Sequence, residues 1–110
     1  MSDTLGHALD QLLADVAEKA KADPSQSYTA KLLQGGPVLC GKKLGEEGVE
    51  TALAIAGGTV EEIAKEAADL LYHLSVGLLA RGVTGADVAA ILEARRGTSG
   101  LDEKAARAQS

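Results

Sequence analysis

The sequence predicts an all-α fold, a helical bundle of about four main helices plus short ones, completed by association between chains. Three observations carry this. The apolar residues are almost all Ala, Leu, Val and Ile and recur at helical spacing. The alternating patterns and β-branched runs that mark strands are absent. Glycine and proline cut the chain into blocks of helix length. At 110 residues the chain reads as a single domain, residues 1–110, short enough that oligomerisation is a natural way to finish its core.

The first block runs from about Asp3 to Ala22, with Leu5, Leu9, Leu12, Leu13 and Val16 along one face. Asp23-Pro24 ends it, because proline disfavours helical geometry in the residue before it. A short helix from about Ser27 to Leu33 follows, with Ser27 as its N-cap. Gly35-Gly36-Pro37 breaks the chain and places proline in the first turn of a third helix, which runs to about Ala56 and stops at Gly57-Gly58. Thr59-Val60-Glu61-Glu62 reads as a capping box opening a fourth helix that continues to about Ala80. Arg81-Gly82 stops it, Thr84 caps a fifth helix ending near Arg96-Gly97, and Ser99 caps a last short one through Arg107.

Composition excludes several function classes. With two Tyr, no Phe and no Trp, the chain lacks stacking platforms for single-stranded nucleic acid. A net charge of −5 offers no positive excess for a phosphate backbone, so nucleic acid is not the expected partner. The single cysteine, Cys40, reads as a buried, reduced thiol. No secretory leader and no apolar run of bilayer length are visible, so a soluble, cytoplasmic protein without membrane contact is expected.

The informative residues are acidic. Helix three contains Glu46-Glu47-Gly48-Val49-Glu50, and helix four contains Glu66-Ala67-Ala68-Asp69. At about 100° per residue, Glu47 and Glu50 lie only about 60° apart around their helix, and Glu66 and Asp69 have the same relation on theirs. The Gly57-Gly58 turn makes the two helices antiparallel neighbours, so four or five carboxylates can converge. Most charged helical residues simply face water. Here, however, Glu66, Asp69 and His73 interrupt a mainly apolar helix on a stripe that also holds Ile63, Leu70 and Gly77.

A partly buried cluster of like charges is unfavourable unless protons or cations neutralise it. The donor set is all oxygen, which favours the hard ion Mg²⁺, with Mn²⁺ as a substitute. Iron is disfavoured because Glu-x-x-His does not occur on two helices. Mg²⁺ held by few carboxylates commonly bridges to substrate phosphates. Lys43, one turn before Glu47, and its neighbour Lys42 stand where phosphates would lie, although an ordinary salt bridge explains either lysine equally well. His73 is either a satisfied core histidine or a substrate contact.

At these residues a resemblance emerges. Glu46-Glu47-x-x-Glu50 followed by Glu66-x-x-Asp69 resembles the metal motif of the MazG-like all-α nucleotide pyrophosphatases. Four stretches are similar to the phosphoribosyl-ATP pyrophosphatase family within it: residues 27–33 (SYTAKLL), 42–47 (KKLGEE), 66–73 (EAADLLYH) and 99–104 (SGLDEK). The resemblance implies a Mg²⁺-dependent homodimer that hydrolyses phosphoribosyl-ATP, a phosphorylated nucleotide, at its α–β phosphoanhydride in histidine biosynthesis. Glu47, Glu50, Glu66 and Asp69 are the implied metal ligands, and Glu46 is either a fifth ligand or the base that orients water. Lys31, Lys43 and Lys104 become candidate phosphate contacts, with Lys42 beside them and His73 near the substrate. Gly48 stands where the family usually has alanine, and Arg96 where histidine is common. Two other readings use the same residues: a house-cleaning pyrophosphatase acting on plain nucleoside triphosphates, and a non-catalytic bundle that binds a partner helix.

Overall fold

The computed structural model describes residues 4–97 and 100–108. Among the described residues there are six helices: α1 (Leu5–Lys19), α2 (Tyr28–Gln34), α3 (Gly36–Gly57), α4 (Val60–Ala80), α5 (Gly85–Ala94) and α6 (Gly100–Ala108). No strand occurs among the described residues. Ser99, the cap expected for the last helix, lies outside them.

The helix starts follow local chemistry. Thr4 Oγ1 accepts from the His7 amide, and Ser27 Oγ accepts from the Ala30 amide. Ser27 Oγ also donates to the Lys19 carbonyl at 3.0 Å, which ties the start of α2 to the end of α1. Thr59 and Thr84 form reciprocal capping boxes with Glu62 and Asp87. The ends also have causes. The α1 helix stops at Lys19 rather than Ala22, because the chain turns toward Pro24 and Asp23 Oδ1 takes the Ser25 amide. Gly36, Gly82 and Gly97 adopt left-handed φ angles of 85°, 69° and 80°, where a side chain would be strained. Gly97 closes the turn after α5, which ends at Ala94 instead of reaching Arg96.

The α3 and α4 helices are the central pair, joined by only Gly58 and Thr59. Thr51 of α3 contacts Glu66 of α4, and Glu47, earlier on α3, stands near Asp69, later on α4. Residue numbers rise on one helix as they fall on the other, so the pair is antiparallel. The α1 helix packs on α4, and α2 packs against both α3 and α4. Where they meet, Val16, Leu32, Cys40 and Val76 are buried, surrounded by Leu12, Leu33, Leu39, Tyr72 and Ala80. Cys40 is a free, buried thiol that donates to the Leu32 carbonyl.

This core is small, and the chain is more spread out than its length requires. Its radius of gyration is 16.0 Å, against about 13 Å for a compact domain of this length. The α5 helix turns away from α4 by 109° and buries none of its residues. No single described helix is long and apolar enough to cross a membrane.

Candidate metal centre and active site

Two adjacent turns of α3 and α4 build the acidic site. Glu47 projects from α3, while Glu66 and Asp69 project three residues apart from α4. One carboxylate oxygen from each lies within 4.8 Å of the other two, and all three residues are half-buried. Glu66 Oε2 is buried with no hydrogen-bond partner. A polar atom in that state is unfavourable by about 1–3 kcal/mol, more when charged, unless something binds it. An all-oxygen set with one unpartnered buried atom fits a hard divalent cation such as Mg²⁺ or Mn²⁺.

The electrostatics agree with this crowding. Burial pushes the Glu47 carboxyl above its ordinary value, and the charge of Glu50 and a hydrogen bond with it add to the rise. Asp69 raises it further, whereas His73 pulls it back down. Glu50 is therefore next to Glu47, although it is more exposed and stands outside the three-residue cluster. Glu50 also borders a 560 Å³ cleft, which takes in Glu62, Lys65 and the cluster residue Glu66.

The remaining candidates are distributed around this centre. Glu46 is exposed, and its Oε1 lies 3.8 Å from Lys43 Nζ. The ordinary salt bridge weighed for Lys43 is thus present, with Glu46 rather than Glu47 as partner. Lys42 is exposed on α3, Lys31 is exposed on α2, and Lys104 is exposed on α6. Lys31 borders a 490 Å³ depression beside Tyr28. Lys31 and Lys104 stand on helices other than the two that carry the carboxylate cluster.

His73 is only 8% exposed. Its Nδ1 lies 2.8 Å from the Asp69 carbonyl, and since a carbonyl only accepts, Nδ1 carries the hydrogen. In the neutral ring this leaves Nε2 as an acceptor. The ring is also wedged edge-on against Tyr72 and Tyr28, at centroid distances of 5.1 and 6.1 Å. His73 is thus satisfied in the core and adjoins the acidic site through Glu47 and Asp69.

Sequence reasoning missed two groups. Tyr28 and Tyr72 stack at 6.3 Å, and Tyr72 Oη shares a 2.6 Å hydrogen bond with the buried Thr29 Oγ1. These two tyrosines border a 330 Å³ hollow together with Lys19 and Gln26. The pairing joins α2 to α4 across more than forty residues of sequence, which no local pattern encodes. The second group is Thr51, whose buried hydroxyl donates toward the carbonyls of both Glu47 and Glu66. Its only signal in the sequence is a polar residue one turn after Glu47.

Comparisons with known proteins extend the geometry. A phosphoribosyl-ATP pyrophosphatase of Cereibacter sphaeroides is 54% identical over 99 residues, covering 90% of this chain and 96% of that protein. The enzyme of the same name from Caulobacter vibrioides is 50% identical over 108 residues, covering 98% of this chain and all of the relative. One from Rhizorhabdus wittichii is 52% identical over 99 residues. Residues 9–96, which contain the whole acidic site, match the phosphoribosyl-ATP pyrophosphohydrolase family. With that match and relatives 50–54% identical over 90–98% of its length, the chain belongs to the phosphoribosyl-ATP pyrophosphohydrolase family.

Proposed function

We propose that the protein hydrolyses phosphoribosyl-ATP to phosphoribosyl-AMP and pyrophosphate, the second step of histidine biosynthesis, at a Mg²⁺ site on α3 and α4. The observation that carries this reading is the convergence of Glu47, Glu66 and Asp69 oxygens within 4.8 Å, in a chain of this family.

Glu47, Glu66 and Asp69 hold the cation, with Glu50 completing the set from its place beside Glu47. When bound there, Mg²⁺ would supply positive charge that offsets the charge of the phosphates and favours loss of a proton from water. Glu46, exposed and outside the cluster, is left to orient the attacking water and accept its proton. The water oxygen bonds to the α-phosphorus, the bond from that phosphorus to the bridging oxygen breaks, and pyrophosphate departs with the bridging oxygen, its charge offset by the lysines. Lys43 and Lys42, on the same helix as Glu47, are candidates for that role, with Lys31 on α2 and Lys104 on α6 as further ones. His73, fixed through the Asp69 carbonyl, is the candidate for a contact near the substrate. No side-chain nucleophile is needed, and the protein contributes placement and electrostatic stabilisation.

The same reading includes a homodimer. Ile91 and Leu92 on α5 are 55% and 60% exposed, and Leu53 and Ile55 on α3 are exposed as well. So many large apolar side chains in water favour a partner surface, and a second copy gives α5 the packing it lacks. Sedimentation should show a dimer that Leu92→Asp weakens; a monomer for both proteins rejects the dimer.

Substrate choice tests the function. Pyrophosphate release should be fastest from phosphoribosyl-ATP, slow from ATP and dCTP, and lost without Mg²⁺. A preference for either plain triphosphate overturns the assignment in favour of a house-cleaning pyrophosphatase.

A further inference from the structure

We propose that Thr51 is a positioning residue for the metal-binding carboxylates, its hydroxyl fixing the spacing of the two helices that carry them. The inference rests on the reading of Glu47, Glu66 and Asp69 as metal ligands.

Thr51 lies on α3 one turn after Glu47 and is 7% exposed. A helical threonine ordinarily donates to the carbonyl four residues back, and Thr51 Oγ1 does so to Glu47 at 2.7 Å. The second contact follows no local rule: Oγ1 is also 3.1 Å from the Glu66 carbonyl on α4. A hydroxyl has one hydrogen, so the two carbonyls share it. Both carbonyls belong to residues whose side chains converge on the cluster. One buried hydroxyl therefore joins the backbone of a ligand on α3 to the backbone of a ligand on α4.

This link bears on Glu66 in particular. Its buried Oε2 has no hydrogen-bond partner, so no bond to that atom fixes it. Placement must come from the backbone, and the Thr51 hydroxyl is the polar contact across the helix pair at that residue. Mg²⁺ demands ligand distances near 2.1 Å and near-ideal octahedral geometry. Loss of an outer contact that orients ligands typically weakens metal affinity by about 10–100-fold.

A buried threonine can also serve only as packing, and two substitutions separate the roles. Thr51→Ser and Thr51→Ala both lose the methyl group, but only serine keeps the hydroxyl. Mn²⁺ binding to the full chain is measured by calorimetry, with folding followed by circular dichroism. Thr51→Ser should bind Mn²⁺ within about threefold of the native protein, and Thr51→Ala about tenfold more weakly. Equal affinities for the two variants overturn the proposal. Should Thr51→Ala fail to fold, Thr51→Val, similar in shape without the hydroxyl, takes its place and should show the same loss against the native protein. Native affinity in Thr51→Val also overturns the proposal. If the native protein itself binds no Mn²⁺, the metal reading falls first, an outcome distinct from equal affinities in variants of a binding protein.

Discussion

Replacing Glu66 by Gln should make the metal-free protein more stable and the Mg²⁺-supplied protein less responsive. The three clustered oxygens lie within 4.8 Å of one another. At that separation and an effective dielectric of about 20, each pair of carboxylates repels by about 3.5 kcal/mol. The residues are half-buried, so solvent screens part of this, and a net relief of about 1–3 kcal/mol remains when Glu66 loses its charge. Glutamine keeps the volume of Glu66, and its amide can donate to the neighbouring carboxylates. At about 4–8 °C per kcal/mol for a small domain, Glu66→Gln should melt at least about 4 °C above the native protein in chelator. Mg²⁺ at about a hundred times its dissociation constant should stabilise the native protein by about 2.7 kcal/mol. The variant, lacking a ligand, should gain little. Thermal melts of both proteins, with chelator and with Mg²⁺, read the crossover directly. A variant that melts below the native protein in chelator, or that gains as much from Mg²⁺, refutes the reasoning.

Three further outcomes follow from the same structure. A Cβ at Gly48 would meet nothing within 4 Å, so Gly48→Ala should raise stability by about 1 kcal/mol through helix propensity, read as a higher urea midpoint. Leu32, 2% exposed in the core, should cost about 3 kcal/mol when changed to Ala, measured by the same denaturation. The Glu62 and Asp87 carboxyls are held below their ordinary values, first by the backbone amides of Thr59 and Thr84 and then by the threonine hydroxyls. A lowered folded-state value stabilises above the unfolded value and is lost as pH falls through the folded one. Stability should therefore decline as pH drops below about 4.5 for Glu62 and below about 3.8 for Asp87. Glu62→Gln and Asp87→Asn should flatten that decline in acid titrations followed by circular dichroism.

The helices were legible because their signals are local. Ser27, Thr59 and Thr84 cap where their types and following residues say they should, and Gly82 ends α4 with the left-handed turn that glycine permits. The meeting of Glu47 with Glu66 and Asp69 was also readable, since helical periodicity and a two-residue connection together fix an antiparallel register. Glu46 was harder, because it stands outside the three-residue cluster and pairs with Lys43. The Tyr28–Tyr72–His73 cluster needed the third dimension, as it depends on how α2 lies across α4. The cross-helix role of Thr51 was hidden for the same reason, since its local bond to Glu47 is what any helical threonine makes.

Crystals soaked in Mn²⁺ and measured at its absorption edge test the central claim most directly. The expected result is an anomalous peak coordinated by Glu47, Glu66 and Asp69 at about 2.1–2.2 Å, as for a hard octahedral cation. A fully occupied peak elsewhere, with these three side chains bare, contradicts it.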